Sequence, residues 1–483
     1  ASPSLSPSAA RGAGSSPSTA ARPNVSPPAN PTPSGPTTPG CGPADCVTLD
    51  ATSFIGPANP VASGLNDGVR AGDGADITAM KALSTRNFRG APSYGLLGTL
   101  NWKQWDTAAQ SGSAMTLILS NMWEEQYGPY PPTPWSNWTR YTSWVQSTVR
   151  TIVRSGQKVT YWDVYNEPGF PGYYSPEAFQ SVTPARLLQQ FLVTYQAIKA
   201  VDPGAQIIGP STGEWSLTPL PAGDPIHEAD LGTFLRFCAA HRLKLAAVAW
   251  HDNSKSPATI YSDAQATKAL IATLPALGHP PMILDEYASQ GTQPIPGWDV
   301  GFLAAVTDAG FISASRSCWG GACTDGELDG LLAPDGVTKS SEYWERLDYA
   351  RMTGNMVSVS TTDPSVQALG SFTSSGGGQF SALIGRSAGC GSPAWCRAEF
   401  APGTQPAAAA PVQVRILLPF ASPVPTIKIS DIPFAPGVWA PVAPRVQQLT
   451  DYSITTVGAG TEWVDFTIPA FADGEAFSIT AVP

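Results

Sequence analysis

Short apolar runs alternate with longer amphipathic segments through the first three quarters of the chain. The apolar runs are rich in β-branched and aromatic residues and are bounded by Gly, Pro, Asn or Asp, which predicts β-strands. The segments between them repeat apolar residues at helical spacing, and 184–201 follows Thr183, a predicted N-cap. Eight strand–helix units of this kind predict an α/β fold of the (β/α)8 TIM-barrel type.

The predicted strands begin at about residue 47, and the predicted helices lie between them. The strands are 47–54, 85–90, 115–121, 158–165, 206–209, 245–250, 282–284 and 311–315. The helices are 76–83, 102–111, 135–155, 184–201, 231–243, 262–274, 300–309 and 340–352. Because TIM barrels form their active sites at the C-terminal ends of the strands, residues that directly follow these strands are the candidates for chemistry.

Composition divides the chain into three parts. Residues 1–40 consist mostly of Ser, Pro, Ala, Thr and Gly, which predicts a disordered tail or linker. Residues 41–354 carry the barrel pattern. From 355 to 483 the helical signals stop, and short alternating runs separated by Gly, Pro and Asp predict an all-β sandwich.

Two glutamates end apolar runs where a barrel places its active site. Glu167 lies near the end of WDVYNEP (162–168), and Glu286 lies near the end of MILDEY (282–287). A carboxylate beside a hydrophobic core costs free energy, so such positions favour a functional role. Cleavage of a glycosidic bond uses two carboxyl groups, one as the acid and one as the nucleophile or base. Asp285 competes with Glu286, because neighbouring side chains of a strand point to opposite faces.

The Asn-Glu-Pro tripeptide after the fourth predicted strand, with Glu286 after the seventh, resembles the clan A glycoside hydrolases. Within that clan, FRG (88–90), WD (105–106), IGP (208–210) and VAWH (248–251) look most like glycoside hydrolase family 39. The resemblance implies a retaining mechanism with Glu167 as acid/base and Glu286 as nucleophile. It also implies an oligosaccharide or polysaccharide substrate, with xylosides or arabinosides as the expected class.

The resemblance implies further substrate-binding residues. Asn166 is expected to bond the sugar 2-hydroxyl, and His251 stands where the clan often carries His-x-Tyr. Here the tripeptide is His251-Asp252-Asn253, so the tyrosine that would bond the nucleophile is absent and the partner of Glu286 stays open. Tyr287 or a residue of another loop are the options.

Basic and aromatic residues complete the expected site. Arg86 and Arg89 are both candidates for the arginine that supports the nucleophile in this clan, and the sequence does not choose between them. Trp319 is expected to form the platform under the sugar at the cleavage point. Trp102 is a candidate for an outer subsite, with core packing as the alternative.

Six of the seven cysteines fall in close pairs, which predicts small disulfide loops and a secreted protein. The seventh, Cys238, lies in a predicted helix and is expected to be a buried free thiol. No histidine accompanies the pairs, so we expect no metal and no cofactor. The pairs are Cys41 with Cys46, Cys318 with Cys323, and Cys390 with Cys396.

The charge balance excludes several classes of partner. With 27 basic and 37 acidic residues, the net charge is −10, which argues against nucleic acid and anionic membranes. No apolar run reaches the roughly 18–20 residues that a membrane helix needs, so no membrane insertion is expected. The chain starts at Ala1 rather than Met, as expected of a processed chain.

Two other functions compete with the glycosidase. GPSTG (209–213) fits the G-x-S-x-G pattern and would make Ser211 the nucleophile of a serine esterase. The proline-broken segment after it disfavours the helix that such a nucleophile requires. A noncatalytic carbohydrate-binding protein built on a barrel is the other alternative, and the presence of both glutamates argues against it.

Overall fold

The computed structural model describes residues 45–483 apart from twelve internal gaps. The gaps are 92–101, 121–132, 172–173, 222, 254–255, 289–294, 318–325, 329, 388–406, 421–424, 435–442 and 459. Two units are distinguished: 1–40, which lies outside the described residues, and 41–483. No described helix combines the length and the apolar character needed to span a membrane.

Eight parallel strands close into a barrel, which confirms the predicted TIM-barrel fold. Their buried apolar side chains contact the surrounding helices in one large core. The strands are β2 (Gly64–Asn66), β3 (Asn87–Gly90), β4 (Ala114–Ile118), β5 (Tyr161–Asp163), β6 (Ile207–Thr212), β7 (Ala247–Asp252), β8 (Met282–Tyr287) and β9 (Ser313–Arg316).

The helices between these strands lie close to their predicted positions. Helix α5 begins after Thr183, whose hydroxyl accepts a hydrogen bond from the Arg186 backbone N–H at 3.3 Å, so the predicted N-cap is confirmed. The helices are α1 (Gly74–Ala82), α2 (Trp102–Ala109), α3 (Trp138–Ser155), α4 (Pro176–Phe179), α5 (Pro184–Val201), α6 (Leu231–Ala240), α7 (Pro257–Ala272), α8 (Pro296–Ala309) and α9 (Ser341–Ala350).

The C-terminal strands form a ten-stranded, mostly antiparallel sheet that curls around its own apolar core, in agreement with the predicted β-sandwich. Its members are β1 (Asp45–Pro57), β10 (Asn355–Thr361), β11 (Val366–Thr373), β12 (Gln379–Arg386), β13 (Ala410–Leu418), β14 (Thr426–Ile432), β15 (Arg445–Gln448), β16 (Ser453–Gly458), β17 (Thr461–Phe471) and β18 (Ala476–Val482). In the sheet these strands lie in the order β15-β14-β18-β12-β11-β10-β1-β13-β17-β16.

Strand β1 corrects the predicted barrel order. The run at 47–54 was expected to be the first barrel strand, but β1 pairs antiparallel with β10 and parallel with β13 in the C-terminal sheet. The first barrel strand is instead β2, which has three residues and is too short to show a pattern of its own. The barrel and the sheet meet at α8, where the Gly297 N–H donates to the Gly474 carbonyl at 2.8 Å.

Candidate active site

The two candidate glutamates face each other at the C-terminal end of the barrel. Glu167 follows β5, the fourth barrel strand, and Glu286 lies in β8, the seventh. One oxygen of each carboxylate and Nδ1 of His251 all lie within 4.8 Å of one another. The side chain of Glu286 is 4% exposed and that of Glu167 is 17% exposed, so Glu286 lies deeper than Glu167.

Donors from β2, from β3 and from the residue that follows β7 surround the Glu286 carboxylate. Its Oε1 accepts from Asn66 Nδ2 at 3.0 Å and from Arg89 Nη1 at 2.9 Å. Its Oε2 accepts from Asn253 Nδ2 at 2.9 Å. Hydrogen bonds to the charged form of a carboxyl group favour ionisation, so this environment suits a carboxylate rather than an acid.

Asn253 resolves the partner of Glu286 that the sequence left open. It occupies the position of the missing tyrosine, two residues after His251, and donates directly to Glu286. The Ser317 Oγ lies 2.9 Å from the Asn253 side-chain Oδ1 and 3.0 Å from the Tyr287 backbone carbonyl oxygen, so the amide oxygen faces Ser317 and the amide nitrogen faces the carboxylate. Tyr287, the other option, is directed elsewhere, because its hydroxyl donates to the Ala62 carbonyl at 2.7 Å.

Arg89, and not Arg86, is the arginine of the site. Its guanidinium is fully buried and reaches three acceptors through three nitrogens, with Nε on Asp163 at 3.0 Å, Nη1 on Glu286 and Nη2 on Asn166 Oδ1 at 3.0 Å. Arg86 is exposed just before β3 begins. Burial lowers the pKa of Arg89, but Asp163, Asp285 and Glu286 together outweigh it and raise that pKa above its usual range.

His251 connects the two carboxylates. Its Nδ1 lies 3.1 Å from Glu167 Oε1 and 3.5 Å from Glu286 Oε2. The ring sits at a β-bulge between β7 and β8, an irregularity that re-aims side chains beside many active sites. Burial lowers the pKa of His251, but Glu286 and the bond to Glu167 outweigh it, so the pKa is raised. Below this raised pKa a positive charge therefore lies between the two carboxylates.

Glu167 is held by its own backbone and by the loop after β6. Its φ is 47°, a left-handed value that is rare outside glycine, and its N–H donates to the Ser211 carbonyl at 2.8 Å. A Cβ on Gly213 would lie 3.2 Å from Glu167 Cδ, so a side chain here would displace Glu167 by a few tenths of an ångström. The buried Glu228 accepts from the Gly213 N–H at 3.1 Å and fixes that loop.

Ser211 is not an esterase nucleophile. It is fully buried, and its Oγ lies 2.7 Å from Asp163 Oδ1 and 2.6 Å from Asp285 Oδ2. Strand β6 ends at Thr212, and the helix expected directly after such a nucleophile is absent among the described residues that follow. Asp285 is likewise enclosed in the barrel, which favours Glu286 over Asp285 as the residue that meets a substrate.

Glu167, His251 and Glu286 have the composition of a divalent-cation site. The surroundings of Glu286 oppose that reading, because both of its oxygens already accept hydrogen bonds and one of the donors is the cationic Arg89. The arrangement stabilises a negative charge, whereas a bound cation needs acceptors that are not surrounded by donors. No metal is needed to account for this geometry.

The remaining predicted residues have mixed outcomes. Trp102 is half-buried at the start of α2, with its ring edge-on to Trp105 at 6.2 Å, which fits the core-packing alternative. Cys238 is a buried free thiol, as predicted, and burial raises its pKa. The disulfide pairing stays a prediction, as does the role of Trp319. Cys41, Cys318, Trp319, Cys323, Cys390 and Cys396 lie outside the described residues.

Sequence reasoning missed Asn66, Asp163 and the contacts that join Asp163 to Ser211 and Asp285. Asn66 ends a three-residue strand that carries no apolar pattern, so nothing marked it. Asp163 was visible as an acidic residue within an apolar run, in the same way that Glu286 was. Counting such residues strand by strand would have found Asp163.

No protein-family model and no curated protein matches the chain. Among solved structures, a protein from Neocallimastix frontalis is similar over 91% of this chain and 99% of its own, at 18% identity and a TM-score of 0.66. A glycoside hydrolase family 39 enzyme from Xanthomonas axonopodis pv. citri is similar over 91% and 97%, at 16% identity and a TM-score of 0.59. A monomeric beta-xylosidase from Caulobacter crescentus is similar over 91% and 100%, at 13% identity and a TM-score of 0.57. The chain therefore shares the fold of these proteins, which include a family 39 enzyme, in agreement with the resemblance.

Proposed function

We propose that the protein is a retaining glycoside hydrolase in which Glu286 is the nucleophile and Glu167 the acid/base. The observation that carries the proposal is the pair of carboxylates after the fourth and seventh barrel strands, with oxygens within 4.8 Å. Retaining enzymes hold their carboxyl groups about 5–5.5 Å apart, and inverting enzymes about 6.5–9.5 Å. The close approach of one oxygen from each carboxylate, within 4.8 Å, fits the retaining arrangement better than the inverting one.

The surroundings of each glutamate support its role. Glu286 accepts bonds from Asn66, Arg89 and Asn253, which keep it ionised and aim it at the anomeric carbon. In the first step a Glu286 oxygen bonds to that carbon while Glu167 gives its proton to the departing glycosidic oxygen. In the second step water attacks the same carbon, Glu167 takes the proton of that water, and the bond to Glu286 breaks.

Neighbouring groups support this double displacement. The Asn166 amide, whose oxygen accepts from Arg89, is assigned the hydrogen bond to the sugar 2-hydroxyl, which tightens in the transition state. His251 holds Glu167 at 3.1 Å. The negative net charge of the chain favours a neutral sugar over an acidic one.

The substrate is proposed to be an oligosaccharide or polysaccharide with a xyloside or arabinoside bond. A structural relative with the same fold is a beta-xylosidase, and another is a glucosidase from Croceicoccus marinus. Aryl β-xylosides, α-L-arabinofuranosides and β-glucosides are therefore the first members of a substrate panel.

Secretion is proposed from the cysteine pairs. Intact mass before and after reduction and alkylation would count the disulfides.

The panel is run with wild type, Glu167→Gln and Glu286→Gln. The proposal expects turnover of at least one sugar by wild type and its loss in both variants, while Glu286→Gln keeps substrate binding. Turnover that survives in Glu286→Gln would contradict the assignment. Binding of glycans by wild type without any turnover would favour the noncatalytic carbohydrate-binding alternative.

A further inference from the structure

Three polar side chains form a closed cluster directly beneath the two glutamates. Asp163 of β5, Ser211 of β6 and Asp285 of β8 are all fully buried. The Ser211 Oγ lies between the two aspartates, 2.7 Å from Asp163 Oδ1 and 2.6 Å from Asp285 Oδ2. Both distances are those of hydrogen bonds, so both contacts need a hydrogen atom.

The hydroxyl supplies only one of these hydrogen atoms. A serine hydroxyl has a single O–H donor, and an ionised carboxylate is only an acceptor. If both aspartates were ionised, one of the two contacts would place lone pairs against each other in a fully buried site. The geometry therefore requires one further proton, carried by one of the two carboxyl groups.

The partners of each aspartate show which of them carries this proton. Asp163 accepts from Arg89 Nε at 3.0 Å, contacts Arg89 Nη2 at 2.9 Å, and accepts from the Tyr165 N–H at 3.3 Å. Asp285 lies 3.9 Å from Arg89 Nε, and its Oδ1 has no hydrogen-bond partner among the described residues. An ionised Asp285 would be a poorly compensated buried charge, whereas Asp163 is well compensated.

The chain of bonds then has one direction. Asp285 Oδ2–H donates to Ser211 Oγ, and Ser211 donates to Asp163 Oδ1, which also faces the Arg89 guanidinium. The charges around Asp285 agree with this assignment. Burial, followed by the charge of Asp163, raises the pKa of Asp285 to about 7, although Arg89 and His251 oppose the shift.

We propose that Asp285 is a positioning residue that carries a proton in the active enzyme. Because the protonated carboxyl group is uncharged, it does not compete with Asp163 and Glu286 for the Arg89 guanidinium. The positioning role rests on the proposed glycosidase function, whereas the location of the proton does not. Loss of this proton places a third negative charge beside Arg89, 3.9 Å from its Nε, where it competes with Glu286 for the guanidinium. It also adds repulsion to the neighbouring nucleophile.

The first test locates the proton without using activity. Asparagine has the shape of a protonated aspartate and places an N–H₂ donor where the acid has its O–H, so Asp285→Asn keeps the bond to Ser211. In the infrared difference spectrum of wild type minus Asp285→Asn at pH 6, we expect the C=O stretching band of one protonated carboxyl group. A wild-type minus Asp285→Asn spectrum without the band would overturn the assignment.

The same variant predicts how stability depends on pH. A folded-state pKa raised to about 7, against about 3.9 in the unfolded chain, means that the folded state binds the extra proton between these values. The contribution of Asp285 to stability is therefore complete below about pH 4 and is lost as the pH rises through about 7. The Tm of Asp285→Asn relative to wild type should increase over this range. A difference that stays constant with pH would contradict the proposal.

The positioning role is tested with the substrate found in the panel. We expect the alkaline limb of the kcat/KM profile to move to higher pH in Asp285→Asn. If the infrared difference spectrum shows the expected band but the alkaline limb does not move, Asp285 holds a proton without positioning Arg89. If no glycoside is turned over, the infrared and unfolding measurements still decide where the proton lies.

Discussion

Replacing Arg89 with lysine tests the electrostatic centre of the site. Arg89 uses three nitrogens for Asp163, Glu286 and Asn166, and its planar fork matches this arrangement. Lysine keeps the positive charge but presents it at a single nitrogen. We expect it to stay with Asp163, because an unpaired Asp163 would be a fully buried charge.

The magnitude follows from the bonds that are lost. A hydrogen bond to a charged group contributes about 1.5–3 kcal/mol. The bonds to Glu286 and Asn166 together therefore contribute about 3 kcal/mol at the lower end of that range. Since about 1.4 kcal/mol corresponds to a factor of ten in rate, kcat/KM of Arg89→Lys should fall on the order of 100-fold.

The assay is aryl-glycoside hydrolysis combined with thermal unfolding, and Arg86→Lys is the matched control. Arg86 is exposed three positions earlier in the chain, so its replacement should change stability by less than about 0.5 kcal/mol and leave kcat/KM unchanged. An unchanged kcat/KM in Arg89→Lys would refute the assignment of Arg89. An equally large loss of kcat/KM in Arg86→Lys would refute it as well.

Two further predictions concern the groups around the glutamates. Asn253→Ala removes the 2.9 Å bond to Glu286 and should lower kcat/KM by about tenfold or more with little change in Tm. Both quantities are measured by the same assays, and an unchanged kcat/KM would show that Asn253 does not support the nucleophile. Gly213→Ala places a Cβ 3.2 Å from Glu167 Cδ and should lower kcat more than it raises KM, whereas Gly458→Ala is the control, because this exposed glycine also lacks a positive φ and has no atom within 4 Å. Equal effects of the two alanines would mean that displacement of Glu167 is not the cause.

The sequence predicted the barrel because its strands are apolar runs with regular helices between them. It failed at β1, where alternating residues such as Val47 and Leu49 fit a barrel strand and a sheet strand equally well. The choice is made by pairing with β10 and β13, which lie more than 300 residues further along the chain. Local periodicity carries no information about such distant partners.

The site was predictable where a charged residue interrupts an apolar run. Glu167 and Glu286 met that condition, and the structure brings both together with His251. Arg86 and Arg89 could not be separated by sequence, because only the start of β3 at Asn87 decides which of them enters the barrel. Asn253 was visible only as the absence of a tyrosine.

Trapping of the covalent intermediate tests the central claim most directly. A 2-deoxy-2-fluoro glycoside of the preferred sugar slows both steps, and a good leaving group lets the first step proceed, so the sugar accumulates on the nucleophile. We predict that peptide mapping by mass spectrometry places the added sugar on Glu286, within the β8 segment Met282–Tyr287. A sugar attached to another residue, or turnover that inverts the anomeric configuration without any labelling, would contradict the account.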